Sequence, residues 1–128
     1  MKIATVGILF GLLAALLIGS VRAHDVSHPE LDDWYHGLMR PDAPSSSCCG
    51  LADAYWADEI HVRDGKTFAT ITDDREDAPL GRPHVPVGTV IEVPDEKLKW
   101  DRANPTGHAI IFLSVQGFVW CFVQGAGI

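Results

Sequence analysis

Cysteine is scarce in this chain, basic residues are few, and the motifs of several common protein classes are missing. Three cysteines stand among 128 residues, and none belongs to a Cys-x-x-Cys pair, which excludes a thioredoxin-type redox site. Lysine and arginine number 10 against 17 aspartates and glutamates, and they are scattered along the chain. The formal net charge of −7 therefore argues against nucleic acid or anionic lipid as the binding partner.

Long hydrophobic runs are also missing, with one exception near the N-terminus. Lys2 precedes the apolar run 3–19, and Val21-Arg22-Ala23 has the small residues of a cleavage site. This layout predicts a secretory signal peptide over residues 1–23, and the alternative is an uncleaved membrane anchor. We expect a periplasmic or secreted protein of residues 24–128, with no membrane contact after cleavage. Its net charge is −9, because Lys2 and Arg22 are removed.

Residues 24–128 form a single small secreted domain in this interpretation, without an internal repeat or a low-complexity tract. The segment 30–40 predicts a short amphipathic helix, because Ser27 and Pro29 suit a helix start and the apolar residues recur at helical spacing. Those apolar residues are Leu31, Trp34, Tyr35 and Leu38. The stretch 41–47, rich in proline and serine, ends the helix in a loop that leads to the first two cysteines.

From Trp56 onward the pattern of apolar residues changes to the period of two that is typical of strands. The segment 59–72 predicts a β-hairpin with Asp64-Gly65 as its turn, and 108–123 predicts a second hairpin. The segment 85–93 predicts an edge strand interrupted by proline and glycine. We therefore predict an α+β, mainly β fold: a short N-terminal helix and a small antiparallel five-stranded barrel or bent sheet, SH3-like in form. Three tryptophans are expected in the core or at its rim: Trp56, Trp100 and Trp120.

The paired cysteines, Cys48 and Cys49, allow three interpretations. A zinc site would need both of them, Cys121 and a histidine, but adjacent cysteines do not have the usual spacing of zinc ligands. A ring closed between Cys48 and Cys49 is strained. The favoured interpretation is a disulfide from one of the pair to Cys121, which closes a loop of about 70 residues and stabilises the fold by about 4 kcal/mol. The sequence does not rank Cys48 against Cys49, and the remaining thiol is either buried or available to another molecule.

Four segments together resemble a family of small exported bacterial proteins of unknown function that carries a paired-cysteine SCCG motif and a C-terminal CF-x-x-GAG motif. The segments are HPELDDWYHGL, SSCCGLAD, VIEVPDEKL and CFVQGAGI. The resemblance covers nearly all of residues 24–128. In that family an Asp-Cys pair often follows the double cysteine, whereas Asp53 is followed here by Ala54. This departure would explain the odd number of cysteines, and the resemblance implies no activity or ligand.

No catalytic set is predicted from the sequence. The serines 45–47 lack a Gly-x-Ser-x-Gly setting, and the acids near 92–96 have no marked pocket. The segment 73–83 is expected to be a polar loop, and its acidic residues lack the spacing of a calcium loop, so a solvated turn is favoured there. Those acidic residues are Asp73, Asp74, Glu76 and Asp77. We expect surface or core roles for three histidines on or beside the strands: His61, His84 and His108.

Two function classes remain. The first is a non-enzymatic binding or accessory domain of the cell envelope, whose partner is an envelope or extracellular protein and whose contact surface includes Trp34, Tyr35 and Trp56. The second is a copper-binding protein or redox enzyme that uses His24 at the new N-terminus. Its amine and imidazole nitrogens suit Cu(II), and His28 and His36 are the candidates to complete the ligand set.

Overall fold

The computed structural model describes residues 28–125. The predicted signal peptide and His24 lie outside these residues. The described chain begins with a 3-10 turn at Pro29–Leu31 and continues directly into helix α1 (Asp32–Gly37). The helix is shorter than the predicted span 30–40, because Leu38 adopts an extended conformation and the chain then enters a strand at Met39.

Nine strands and one further short helix follow α1 within residues 28–125. The strands are β1 (Met39–Arg40), β2 (Ala43–Ser47), β3 (Ala52–Trp56), β4 (Glu59–Arg63), β5 (Lys66–Thr70), β6 (Val90–Val93), β7 (Leu98–Trp100), β8 (Ile110–Ser114) and β9 (Val119–Gln124). Helix α2 (Asp77–Leu80) lies between β5 and β6. A second 3-10 turn, Asp95–Lys97, leads into β7. The prediction of a mainly β domain with a short N-terminal helix is confirmed.

The strands form three sheets with the orders β1-β2, β3-β8-β9-β7 and β4-β5-β6. All pairs are antiparallel except β7 with β9, which is parallel. This arrangement differs from the predicted five-stranded antiparallel barrel or bent sheet of SH3-like form, because the strands of residues 28–125 divide among three sheets and none of these closes on itself. The difference arises where the sequence pattern was weakest: β1 and β7 have only two and three residues, and β2 lies in the stretch 41–47 that was expected to be a loop.

Both predicted hairpins are present. Asp64 and Gly65 have φ angles of 52° and 73°, as a two-residue type I′ turn requires, and they join β4 to β5. β8 and β9 form the second hairpin around Gly117, whose φ is 87°. The predicted strand 85–93 is reduced to β6, because the backbone turns at Pro86–Thr89 before it pairs with β5.

The core consists of two clusters of buried side chains that β8 divides between its two faces. Ile110 and Phe112 point into the first cluster, which also contains the buried part of α1 and the cysteines. Ile111 and Leu113 point into the second cluster, which the β4-β5-β6 sheet covers. This alternation is the period-two pattern expected of a strand buried on both faces. Within the described residues, no helix has both the length and the apolar character needed to cross a membrane.

Candidate functional site

The disulfide joins Cys48 to Cys121, with a Cα–Cα distance of 5.7 Å, and thus ties the segment after β2 to strand β9. It lies fully buried in the first core cluster. Cys49 remains a free thiol whose Sγ donates to the carbonyl oxygen of Tyr35 at 3.4 Å. Burial raises the pKa of Cys49 to about 12, so the thiol stays protonated and is a poor nucleophile. The structure therefore ranks the two adjacent cysteines, which the sequence did not.

The segment after β5 is a buried ion-pair cluster rather than a solvated turn. Asp73 is only 4 % exposed. Its carboxylate accepts hydrogen bonds from Arg75 Nη2 at 2.7 Å and from Arg82 Nη1 at 2.8 Å. Arg82 also donates from Nε to Asp77 Oδ1 at 2.8 Å. The expectation of a solvated acidic turn was wrong for Asp73, because two arginines from the same segment fold back over it.

This ion-pair cluster covers the free edge of strand β3. The backbone N–H of Trp56 donates to Asp73 Oδ2 at 3.1 Å, and the carbonyl oxygen of Ala54 accepts from Arg82 Nη1 at 2.8 Å. The carbonyl of Trp56 accepts from the backbone of Thr72. Charged side chains thus take the place of a neighbouring strand, which satisfies the backbone groups and closes the edge to other chains.

Electrostatics in this region follow from the same contacts. Burial alone would raise the pKa of Asp73, but the hydrogen bonds from Arg75 and Arg82 hold it well below its usual range. Burial opposes the charged form of Arg82 too, and the bonds to the two aspartates still raise its pKa. Asp53 differs, because burial raises its pKa and the charge of Arg82 offsets only part of that effect. The cluster is therefore fully ionised in the neutral range, and one buried carboxyl beside it is destabilised as an anion.

Trp56 stands at the centre of a stack of three side chains. Arg75 Cζ lies 3.9 Å from the Trp56 ring centroid, and the His108 ring lies 3.8 Å from it at an interplanar angle of 8°. Two groups this close to one ring occupy its opposite faces. Asp58 Oδ2 accepts from His108 Nδ1 at 2.8 Å, as Asp73 accepts from Arg75, so a carboxylate holds each outer member of the stack.

The Trp56 stack forms one wall of a groove of about 370 Å³. Leu31 and Tyr35 also line the groove, together with His28, whose Nδ1 is 2.9 Å from Glu30 Oε1. The groove is lined by His28, Glu30, Leu31, Tyr35, Trp56, Arg75, Pro105, Thr106 and His108. This volume lies within the range of small-ligand sites in proteins.

The predicted contact residues have different environments. Trp56 lines the groove and is half-buried. Trp34 is also half-buried, and its Nε1 donates to Asp101 Oδ2 at 2.9 Å, which fixes the indole against the loop after β7. Tyr35 is 3 % exposed and packs edge-on against Trp34 and Phe112. It therefore belongs to the core and does not offer the exposed surface that was expected, because α1 turns this face toward β8.

The predicted metal ligands are not assembled by the described residues. His24 lies outside them, His28 is on the groove wall and His36 is exposed on α1. Within residues 28–125, no group of three or more His, Cys, Asp or Glu side chains could hold a metal ion. Of the other histidines, His61 is exposed, and His84 is paired through Nδ1 with Asp77 Oδ2 at 2.6 Å.

Sequence reasoning missed Asp58, Arg75 and Arg82. The signal for the arginines was the interleaving of acids with two basic residues in DDREDAPLGRP, which is compatible with local ion pairs. No local signal marked Asp58, because its partner His108 is 50 positions away.

Arg75 and His108 in the groove lining are each held by a carboxylate and by stacking on Trp56, so little conformational entropy is lost when a ligand contacts them. Thr106 Oγ1 donates to Asn104 Oδ1 at 2.7 Å, which leaves it engaged with its own loop. Comparison of the chain with protein-family models, with curated proteins and with solved structures gives no match.

Proposed function

We propose that the protein is an exported, disulfide-stabilised binding or accessory domain of the cell envelope, and that it belongs with the small exported proteins whose motifs it resembles. The observation that carries the proposal is the groove beside Trp56. Two of its lining side chains, His108 and Arg75, are held in position by Asp58 and Asp73 before a ligand arrives. Preorganised walls of this kind favour binding because they reduce the entropy cost of association.

Export is supported by the buried disulfide. Cys48 and Cys121 are 73 positions apart, and their pairing ties two distant parts of a small domain. Such bonds persist in the periplasm and outside the cell, where thiols are not kept reduced. The apolar run 3–19 and the residues that follow it support the same compartment.

The partner that fits is a basic segment of an envelope or extracellular protein. The exported form, residues 24–128, carries a net charge of −9, and Glu30 and Asp58 contribute carboxylates in and beside the groove. Arg75 does not oppose them, because Asp73 neutralises it. An acidic surface of this kind increases the rate at which basic partners are encountered.

Site-specific photo-crosslinking in intact cells tests the proposal. A photoreactive amino acid is placed at Pro105, which is exposed and lines the groove, and in a matched control at Ala103, which is exposed in the same loop but does not line the groove. We expect a crosslinked envelope or extracellular protein from position 105 and none from position 103. Equal products from both positions, or none from either, would contradict a groove-specific partner.

An enzyme assay addresses the competing class. We expect no turnover of generic ester, peptide or glycan substrates by the purified protein. Turnover that is abolished by His108→Gln, with the fold retained in the circular dichroism spectrum, would replace the binding proposal with a catalytic one.

A further inference from the structure

Strand β4 is an edge strand whose outer side is open. It pairs only with β5 in the β4-β5-β6 sheet. Its outer edge makes no backbone hydrogen bond to any other part of residues 28–125. Four of its five residues are exposed, and Val62 has 72 % of its surface in contact with solvent. An exposed apolar residue on an unpaired edge strand indicates a place where another strand can add.

The turn after β4 decides which of its backbone groups point outward. Asp64 and Gly65 form a two-residue turn, so Arg63 and Lys66 face each other as a hydrogen-bonded pair. Hydrogen bonding alternates along an antiparallel ladder, and Arg63, His61 and Glu59 therefore direct their backbone groups toward β5. The N–H and C=O groups of Ile60 and Val62 point away from the sheet and are available to a partner.

The sequence of β4 is complementary to itself. When two copies of Glu59–Arg63 run antiparallel about a two-fold axis at His61, Glu59 of one lies opposite Arg63 of the other. Ile60 then lies opposite Val62, and the two pairs of outward backbone groups meet in register. Opposite charges and paired β-branched side chains are the cross-strand neighbours that stabilise an antiparallel ladder. The Glu59–Arg63 pair and the Ile60–Val62 pair each occur twice, once on each side of the axis.

We propose that β4 pairs antiparallel with β4 of a second copy of this chain, so that a symmetric dimer carries one continuous six-stranded sheet. The pairing supplies a partner for Val62 and for the outward backbone groups of Ile60 and Val62. It is isologous, as a two-fold dimer requires. No residue of β4 lines the groove, so the dimer contact is independent of the function proposed for that groove.

The contrast with strand β3 supports this assignment. The edge of β3 is covered by Asp73 and Arg82, which occupy its backbone groups. Among the described residues β4 has no such cover, and it contains no proline and no lysine and pairs with β5 without a bulge. Its end residues, Glu59 and Arg63, are opposite in charge, so they complement the end residues of another β4 strand that runs antiparallel to it.

Charge-swap variants of the full protein test the dimer by sedimentation velocity over a range of concentrations. We expect the natural protein to shift from monomer to dimer as concentration rises. Glu59→Arg and Arg63→Glu each place like charges opposite one another at both ends of the contact, so each should weaken dimerisation by about tenfold. An equimolar mixture of the two variants should restore dimers, because every cross-strand pair is again of opposite sign. The double variant Glu59→Arg/Arg63→Glu should also restore them.

Two further variants separate the proposed contact from general effects. Glu96→Arg makes the same charge change on the exposed 3-10 turn after β6, outside the β4 edge, and should leave dimerisation unchanged. Val62→Pro removes one outward N–H donor, which the hairpin itself does not use, and should abolish dimers while the circular dichroism spectrum is retained. A natural protein that stays monomeric at every concentration would overturn the proposal, and so would single variants that dimerise as well as the natural protein, or a mixture that does not recover.

Discussion

The disulfide region and the ion-pair cluster stabilise the same four-stranded sheet by opposite physical means. Cys48 and Cys121 are joined covalently inside the first core cluster, and their bond carries no charge that the folded state must compensate. Asp73 and Arg82 are equally buried beside β3, with side chains 0 % and 3 % exposed, but their charges must be compensated in the folded state. The disulfide acts mainly by restricting the unfolded chain, whereas the ion pairs act only once the chain has folded.

This difference teaches what each region contributes. The disulfide satisfies no backbone group at a sheet edge, so its main effect is on stability. The ion-pair cluster costs desolvation, but it satisfies the backbone of Trp56 and Ala54 and blocks the edge of β3. It also holds Arg75 against Trp56 and so shapes the groove. Variants of the two regions should therefore differ in their sensitivity to pH and in their effect on the groove.

Cys121→Ser should produce the largest loss of stability. Without the disulfide, the unfolded chain regains the freedom of a loop with a sequence separation of 73, and the free energy of unfolding should fall by about 4 kcal/mol. Urea denaturation under non-reducing conditions measures this loss. Cys49→Ser is the matched control, because it removes a buried thiol without breaking the bond, and its loss should be clearly smaller. Equal losses from both variants would contradict the pairing of Cys48 with Cys121.

Arg82→Met should lower the free energy of unfolding by the next largest amount, about 3 kcal/mol. The buried carboxylate of Asp73 then has one cation fewer, and the carbonyl of Ala54 loses its donor. Arg75→Met is the control. Its side chain is more exposed, at 19 %, and Asp73 keeps Arg82 when it is replaced. Urea denaturation should rank Arg82→Met below Arg75→Met in stability. The opposite order would show that the stack on Trp56, rather than the buried pair, stabilises this region.

The ion-pair cluster should also make the protein sensitive to acid. The pKa of Asp73 is lower in the folded state than in the unfolded chain, so its stabilising contribution is present above about pH 4 and is lost as the pH falls toward the folded-state value. Thermal unfolding should therefore show a falling midpoint from about pH 4 downward. Asp73→Asn should flatten that dependence, whereas Cys121→Ser should keep it. If the midpoint of Asp73→Asn falls with pH as steeply as that of the natural protein, the acid sensitivity comes from other carboxylates.

The same comparison shows which features were predictable from the sequence. The disulfide and the Asp64-Gly65 hairpin were predicted, because compartment and turn chemistry are properties of short stretches of sequence. The ion-pair cluster was mistaken for a solvated loop, since composition alone does not show that Arg82 returns to Asp73 and to the edge of β3. The groove was not predicted, although two of the expected contact residues, Tyr35 and Trp56, line it. The position of Tyr35 depends on the packing of α1, and the Asp58–His108 pair joins residues that no local pattern connects.

The strand order was missed for a related reason. β7 pairs in parallel with β9, and β3 pairs with β8 across more than 50 positions of chain. Such pairings are decided by which apolar strand faces the core can bury together. The sequence pattern shows which face of a strand is apolar, but it does not show which strand lies beside it. The buried state of Tyr35 follows from the same packing, because its ring contacts Phe112 of β8.

The smallest predicted effect concerns Asp53, the buried carboxyl that the ion-pair cluster leaves out. It is 7 % exposed, and burial raises its pKa above that of the unfolded chain even though Arg82 lies nearby. A raised folded-state pKa means that the protonated form is favoured by folding, so stability attributable to Asp53 is greatest at acidic pH and decreases as the pH rises through the folded-state value.

Asp53→Asn removes the unfavourable charge while keeping the shape, and should raise the free energy of unfolding at pH 7 by less than about 1 kcal/mol. Urea denaturation at pH 7 and at pH 4 measures this, and the gain should shrink at the lower pH. Asp73→Asn is the matched opposite, because it should lower stability at pH 7. A loss from Asp53→Asn at pH 7 would mean that its anion is held by Arg82 as part of the ion-pair cluster.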